Sequence, residues 1–306
     1  MIYTLTLNPS IDYVVKLERL QAGALNRAEE DFKLPGGKGI NVSRILKRMK
    51  IDSTALGFLG GFTGDFIKKW LDREKITNNF IQINDESRIN IKLKGTAETE
   101  INGCSPQLSD TEIQKLLAQL AHLTSEDIVI LSGSTPTCLD KHFYLEIIEL
   151  IKKQGAEFAI DTTGNVLTDA LAHRPLLIKP NIDELAELFD LPKTPEGADE
   201  IIPYGSKLLA LGAQNVIISM GGKGALFFNK DGGYQSNVLE GTLLNSVGAG
   251  DSMIAGFIGN YGTSRQPLEA FKWGVASGSA TAFSNDLASK EYITQLFPSV
   301  LIGKLS

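Results

Sequence analysis

The feature that most constrains the fold is an alternation. From Ser53 onward, short β-rich runs are followed by longer stretches whose apolar residues recur at helical spacing. The strand candidates are Ser53–Leu59, Ile128–Leu131, Glu157–Ile160, Leu176–Ile178 and Val216–Ser219. The helix candidates between them are Gly64–Glu74, Asp110–His122, Lys141–Gln154, Ile182–Phe189 and Tyr204–Leu211. Strands separated by helical crossovers pair in parallel, and the helices cover the faces of the sheet they make. The sequence therefore predicts an α/β fold: a doubly wound, mostly parallel sheet with helices on both faces. The 306 residues suffice for one large domain spanning 1–306.

Two stretches break the alternation. Ile2–Leu7 reads as a first strand and meets Asn8-Pro9, with Asp12 close behind. Tyr13–Leu17 and Arg27–Lys33 then read as strands without helical period, and Phe80–Lys94 with Thr99–Asn102 reads as a hairpin. Together they predict a second, small sheet from about 11–33 and 80–104, entering the main domain twice as a lid would. Between them, Pro35-Gly36-Gly37-Lys38-Gly39 precedes an amphipathic helix marked by Ile40, Val42, Ile45, Leu46 and Met49.

Composition removes several classes of function. A net charge of −6 and a pI near 5.3 offer no broad basic surface for nucleic acid. No apolar run approaches the ~20 residues of a membrane span. The first residues lack the pattern of a signal peptide. Cys104 and Cys138 are too few for a disulfide framework, and neither has a His at metal-ligand spacing. These features describe a chain expected in the cytoplasm, without nucleic-acid or membrane partners.

The stretch richest in chemistry is Asn245-Ser246-Val247-Gly248-Ala249-Gly250-Asp251-Ser252-Met253. It follows a short extended run, Thr242–Leu244, and opens a helix with Ala249, Met253, Ile254, Phe257, Ile258 and Tyr261 apolar. Glycines at a helix start let the backbone approach a ligand, and the free N–H groups there favour an anion, phosphate above all. Asp251 stands in that first turn, where a carboxylate also stabilises the helix dipole. None of the glycine clusters is a P-loop, since Lys38 and Lys223 are each followed by glycine, and no G-x-G-x-x-G follows the first strand. Any nucleotide must be held in another way.

Gly-Ala-Gly-Asp-Ser at 248–252 and Gly-Gly-Lys-Gly-Ile-Asn at 36–41 resemble the two signatures of the ribokinase-like (PfkB) carbohydrate kinases. Lys179-Pro180-Asn181-Ile182-Asp183-Glu184 is similar to a third segment of that family, although Asn followed three residues later by Glu is also a capping-box start. The resemblance runs along essentially the whole chain. It implies ATP as donor with Mg²⁺, Asp251 as the base, and Gly248, Ala249 and Gly250 holding the transferred group. It implies that Lys179, Asn181, Glu184, Ser219, Gly221, Gly222, Gly224 and Ser284 face the nucleotide, with Asn181 and Glu184 meeting Mg²⁺ through water. A plain hairpin turn would explain Gly221–Gly224 equally well.

The same resemblance places Asp12, Arg27, Gly37, Lys38, Asn41, Arg88 and Asn90 around the sugar, with lid cations on a substrate phosphate. Arg suits that task because its planar fork matches phosphate oxygens. Arg88-Ile89-Asn90-Ile91-Lys92-Leu93 followed by Ile101-Asn102-Gly103 is most similar to members acting on fructose 1-phosphate. Tagatose 6-phosphate and fructose 6-phosphate are the alternatives, and a non-catalytic sugar-phosphate sensor a further one that an intact Asp251 argues against. Cys104-Ser105-Pro106 departs from relatives that often place glycine before this proline. A homodimer through the lid sheet is also implied.

Overall fold

The computed structural model describes residues 1–140 and 142–305. The first part of the chain forms β1 (Ile2–Thr6), β2 (Ser10–Lys16), β3 (Glu30–Gly36), α1 (Lys38–Arg48), β4 (Ser53–Gly60) and α2 (Gly61–Arg73). Then come β5 (Thr77–Asn78), β6 (Ile81–Ile83), β7 (Arg88–Lys94), β8 (Glu98–Asn102), α3 (Asp110–Leu120), β9 (Ile128–Ser132), α4 (Phe143–Lys153) and β10 (Glu157–Asp161). The third quarter holds α5 (Asn165–Leu171), β11 (Leu177–Ile178), α6 (Ile182–Leu188), α7 (Ala198–Ala210), β12 (Asn215–Ser219), β13 (Ala225–Asn229) and β14 (Gly232–Ser236). The chain closes with α8 (Ala249–Ser264), α9 (Pro267–Ala282), α10 (Lys290–Leu296) and β15 (Ile302–Lys304). Of the helix expected over Lys141–Gln154, Lys141 lies outside the described residues.

The main sheet runs β15-β14-β13-β12-β11-β10-β9-β1-β4-β5, with β6 also on β4. From β12 to β5 every neighbour is parallel, and the β12–β13, β13–β14 and β14–β15 pairs are antiparallel. Residues of β9 show why both faces carry helices. Val129 and Leu131 point into a core with α3, α4, α5 and α7, while Ile128 and Ile130 point into one with α1, α8, α9 and α10. Such period-two alternation within an apolar strand is what a doubly covered sheet demands.

Helix α8 is apolar nearly all round and is therefore buried rather than amphipathic, with Phe257 and Ile258 fully inaccessible. It lies hard against α9. A Cβ on Gly256 would come within 2.5 Å of the Trp273 carbonyl, and one on Gly274 within 2.9 Å of the Met253 carbonyl. This close approach fixes where the first turn of α8, with Asp251, can sit. Among the described residues, Thr242–Leu244 pairs with no strand; the Leu244 and Asn245 N–H groups instead donate to the Ala282 carbonyl at the end of α9.

The small sheet has the order β3-β2-β7-β8, antiparallel except for the parallel β2–β7 pair. Its bounds differ from the expected 11–33 and 80–104. Ile81–Ile83 pairs with β4 in the main sheet, since Ile81 and Ile83 are buried there, so the second crossing begins only at Arg88. The strand expected over Arg27–Lys33 begins at Glu30, because residues 21–26 close into a turn around the Asn26 side chain, which bonds the backbone of Gln21 and Ala24. Ile11 of this sheet packs with Ile40, Ala55, Leu59, Ile67 and Leu71, which seats the sheet on the main body.

Candidate active site

The carboxyl ends of β1, β9 and β10, the start of α1, the start of α8 and the inner face of the small sheet surround a cavity of about 490 Å³. Ligand sites in doubly wound sheets form outside these strand ends, where loops diverge to opposite faces. Of the residues expected at the sugar, the cavity is lined by Asp12, Gly37, Lys38, Asn41, Arg88 and Asn90, and of those expected at the reacting group by Gly248, Gly250 and Asp251. Lys179, Asn181 and Glu184 line it as well.

The approach of α1 needs glycine. Gly37 stands at φ +115°, and a Cβ on Gly36 would strike the Asp12 carboxylate. Three residues into α1, Asn41 Nδ2 donates to Asp251 Oδ2 at 2.8 Å, across 210 residues of sequence. Gly248 precedes α8 in the left-handed region, φ +78°, with Leu287 packed where a Cβ would lie. Behind it, the Gly250 and Asp251 N–H groups belong to the first helical turn, which has no intrahelical acceptors for them.

A second carboxylate, missed from sequence, organises the charges. Asp161, buried at the end of β10, pairs with Lys38 at 3.0 Å and Lys179 at 3.6 Å. Burial alone would raise the Asp161 carboxyl, but Lys179 and Lys38 together hold it below its ordinary value. Burial likewise works to lower the Lys38 ammonium, and Asp161 outweighs it, leaving Lys38 held above its usual range. Asp251 fares differently. Burial pushes its carboxyl up, the Asp161 charge adds to this, and the Asn41 hydrogen bond and the two lysines only partly offset them, so it titrates at about 6. An acid at the carboxyl end of a parallel strand was the one sequence signal that could have found Asp161.

On the small sheet, Asp12 accepts from Ser10 Oγ at 2.8 Å and lies 3.8 Å from Lys92. Lys92 lines the cavity and also pairs with Glu100 at 3.0 Å. Arg88 donates to the Asn8 carbonyl at 3.2 Å, while its Nε has no partner among the described residues. Burial pulls the Arg88 guanidinium down, against the opposing charge of Asp12. Asn8 and Ser10 line the cavity as well, outside the expected site set, and Lys92 lines it as a cation of the lid strands.

Arg27 is not brought to the cavity of its own chain. It is exposed, belongs to the segment between β2 and β3 and does not line the cavity. The cavity meets the Ser10/Gly36 end of the β2–β3 pair, whereas Arg27 lies beyond the Lys16/Glu30 end. Six residues of strand, at about 3.3 Å each, put these ends roughly 20 Å apart.

Asn181 caps α6, its Oδ1 accepting from Asp183 N at 2.9 Å and Glu184 N at 2.8 Å, and Glu184 Oε2 accepts from Asn181 N at 2.8 Å. The capping box and the cavity lining thus coexist. The cap occupies the Asn181 oxygen, which leaves Glu184 Oε1 as the atom able to meet a hydrated cation. Ser219 bridges to Asn181 in the sheet, and Gly221–Lys223 forms a single 3-10 turn ending at Gly224, φ +87°. Ser219, Gly221, Gly222 and Gly224 therefore flank Asn181 without lining the cavity, and Ser284 is bonded to Ala280 at the end of α9. Ala249 lies in the first turn of α8, beside the lining glycines.

A buried carboxylate poised near neutrality beside free helix-start N–H groups is suited to activating a hydroxyl next to an anionic group, the demands of phosphoryl transfer. The fold and this geometry define a ribokinase-like kinase architecture. The model of the pfkB family of carbohydrate kinases matches residues 5–291, and the chain belongs to that family as an ATP-dependent sugar kinase. It is similar to 1-phosphofructokinase of Bacillus subtilis, 49% identical and covering 100% of both chains. D-Tagatose-1-phosphate kinase of Bacillus licheniformis is 36% identical, again over 100% of both. Among solved structures, phosphofructokinase-2 of Escherichia coli in complex with substrates and products superposes with a TM-score of 0.91 at 27% identity, covering 97% of this chain and 98% of that one. Among the described residues, no helix is long and apolar enough to cross a membrane.

Proposed function

We propose that the chain transfers the terminal phosphoryl group of ATP to fructose 1-phosphate, giving fructose 1,6-bisphosphate, and that it works in the cytoplasm. The observation that carries this reading is the Asn41–Asp251 pair at one end of a cavity whose other wall bears Arg88 and Lys92. One end suits a reacting hydroxyl and the other a phosphate already on the sugar. Further support is the similarity to 1-phosphofructokinase, which exceeds that to the tagatose-phosphate kinases.

In this reading Asp251 takes the proton from the free primary hydroxyl as its oxygen attacks in line. Asn41 holds the carboxylate in place. The backbone of Gly248, Ala249 and Gly250 faces the charge that spreads over the transferred group, aided by the α8 dipole. Lys38 and Lys179, held by Asp161, bracket the path between donor and acceptor. Asp12 and Asn90 receive sugar hydroxyls, and Arg88 with Lys92 holds the substrate phosphate.

The nucleotide would lie along Lys179, Asn181, Ser219 and the Gly221–Gly224 turn toward Ser284. Mg²⁺ would be held by the nucleotide phosphates, with Glu184 meeting it through water. When bound, it would neutralise phosphate charge. The small sheet would act as the lid. Its outward row of Ile89, Ile91 and Ile101, two of them exposed, favours a homodimer through this sheet.

Steady-state kinetics at fixed Mg-ATP with fructose 1-phosphate, fructose 6-phosphate, tagatose 6-phosphate and unphosphorylated fructose tests the substrate. The highest kcat/KM is expected for fructose 1-phosphate. A clear preference for a tagatose phosphate would retain the donor and the base but overturn the substrate.

A further inference from the structure

We propose that Asn8 is a specificity-determining residue whose Oδ1 accepts a hydrogen bond from a ring hydroxyl of the bound sugar phosphate; this rests on the reading above. Asn8 follows β1 at its carboxyl end, is 4% exposed and lines the cavity. Its Nδ2 donates to Ser105 Oγ at 2.9 Å and Ser134 Oγ at 3.3 Å, which orients the amide and commits its donor side. Its Oδ1 is left buried with no partner among the described residues. Buried side-chain acceptors are nearly always satisfied, so an orphan one on the wall of a ligand cavity points to a donor supplied from outside the protein.

The neighbouring atoms narrow what that donor is. Arg88 donates to the Asn8 carbonyl, and Arg88 Nε is also buried without a partner. Ser132 Oγ, on the same cavity, is a third such atom. The wall thus offers an unmet cationic donor beside an unmet neutral acceptor. A phosphate oxygen satisfies the first and a hydroxyl hydrogen the second. A polyol carrying a phosphate satisfies both at once, whereas an anion without a hydroxyl group would leave Oδ1 unpaired and face it with like partial charge. The hydroxyl concerned is a ring hydroxyl near the phosphate-bearing end. A site that depends on such a bond rejects an epimer whose hydroxyl points elsewhere, because the buried acceptor stays unpaired.

The test compares kcat/KM of the wild-type enzyme and Asn8→Ala for fructose 1-phosphate and its C3 and C4 epimers, psicose 1-phosphate and tagatose 1-phosphate. In Asn8→Ala, discrimination against at least one epimer should fall about 10-fold or more, with KM for ATP within twofold of wild type. The wild-type preference by itself judges the substrate proposed above. The change in the ratios on substitution judges Asn8, whichever epimer the wild type favours. Unchanged ratios for both epimers in a folded variant would overturn the role of Asn8, as would equal losses for all three sugars and ATP. If Asn8→Ala does not fold, Asn8→Ser, too short to place an acceptor at the same point, decides by the same ratios. A wild-type enzyme that turns over none of the three would overturn both proposals.

Discussion

Helix α1 carries two clusters of buried charge, one at its start and one two turns further on, and they are built on opposite plans. Arg44 is 2% exposed, and its Nε, Nη1 and Nη2 atoms all donate to Glu74 or Asp286. Arg48 adds a second cation on Asp286 at 2.7 Å. Burial works to lower the Arg44 guanidinium, but these carboxylates hold it above its ordinary value, and the arginines hold Asp286 below its own despite burial. At the other end, Asp251 has a single amide donor and a like charge nearby, and its carboxyl is pushed up to about 6. Complete pairing turns a buried charge into a structural fastening. Incomplete pairing leaves one that can change its protonation state near neutral pH, which is what a general base requires.

The sharpest way to break this comparison is Asp251→Asn. The amide matches the carboxylate in shape but cannot take a proton, so kcat should drop on the order of 10²–10⁴-fold with both KM values little changed. A near-wild-type kcat would remove Asp251 from the mechanism. Stability sharpens the point. With a folded pKa near 6 against an ordinary 3.8, folding disfavours the ionised form; stability is gained as pH falls through about 6 and is absent above it. Asp251→Asn should therefore melt no lower than wild type at pH 7–8, and a large loss of Tm there would contradict the assignment of strain to this carboxylate.

Arg44→Met should do the reverse. Removing Arg44 takes the close cation from Glu74, while Arg48 stays on Asp286 and both carboxylates keep some contact with solvent, so the loss should be about 1.5–3 kcal/mol. Denaturant unfolding would read this directly, and a loss below about 1 kcal/mol would mean that the cluster fastens nothing. Arg88 lies between the two plans, buried in part yet with Nε unpaired. Arg88→Met should raise KM for the sugar phosphate by roughly 10–100-fold, from about 1.5–3 kcal/mol of charge-assisted hydrogen bonding, without moving KM for ATP. A rise in the ATP KM instead would reverse the donor and acceptor ends. The smallest effect is on pH. Because Asp251 acts unprotonated, kcat/KM should be level above about 6 and fall near tenfold per unit below it. A profile flat down to pH 5 would show that this carboxyl is not the group being titrated.

Much of this was legible in the chain itself. The alternation of β-rich and helical stretches was enough to specify a doubly wound sheet, because side-chain periods of 2 and 3.6 are local properties that burial then reinforces. Gly36, Gly37, Gly248 and Gly250 marked the two places where backbone packs closely at the cavity, against Asp12, Thr6, Leu287 and Lys179, since only small, permissive residues fit there. What remained hidden depended on partners far away in sequence. Arg27 reads as a lid cation, and the Asn26 turn and the strand register put it at the end of the hairpin away from its own chain's cavity. Ile81 and Ile83 suited either sheet by propensity, and pairing with β4 decided it.

The residue types, the glycine clusters and the order of elements are properties of the sequence alone, and they determined the fold class and the positions of the reactive motifs. Only tertiary structure could bring Asn41 to Asp251 and Asp161 between Lys38 and Lys179. It alone decided that one carboxylate is held below its ordinary pKa and the other raised, because the protonation of a buried acid depends on its solvation and its neighbours' charges, which the chain acquires only on folding.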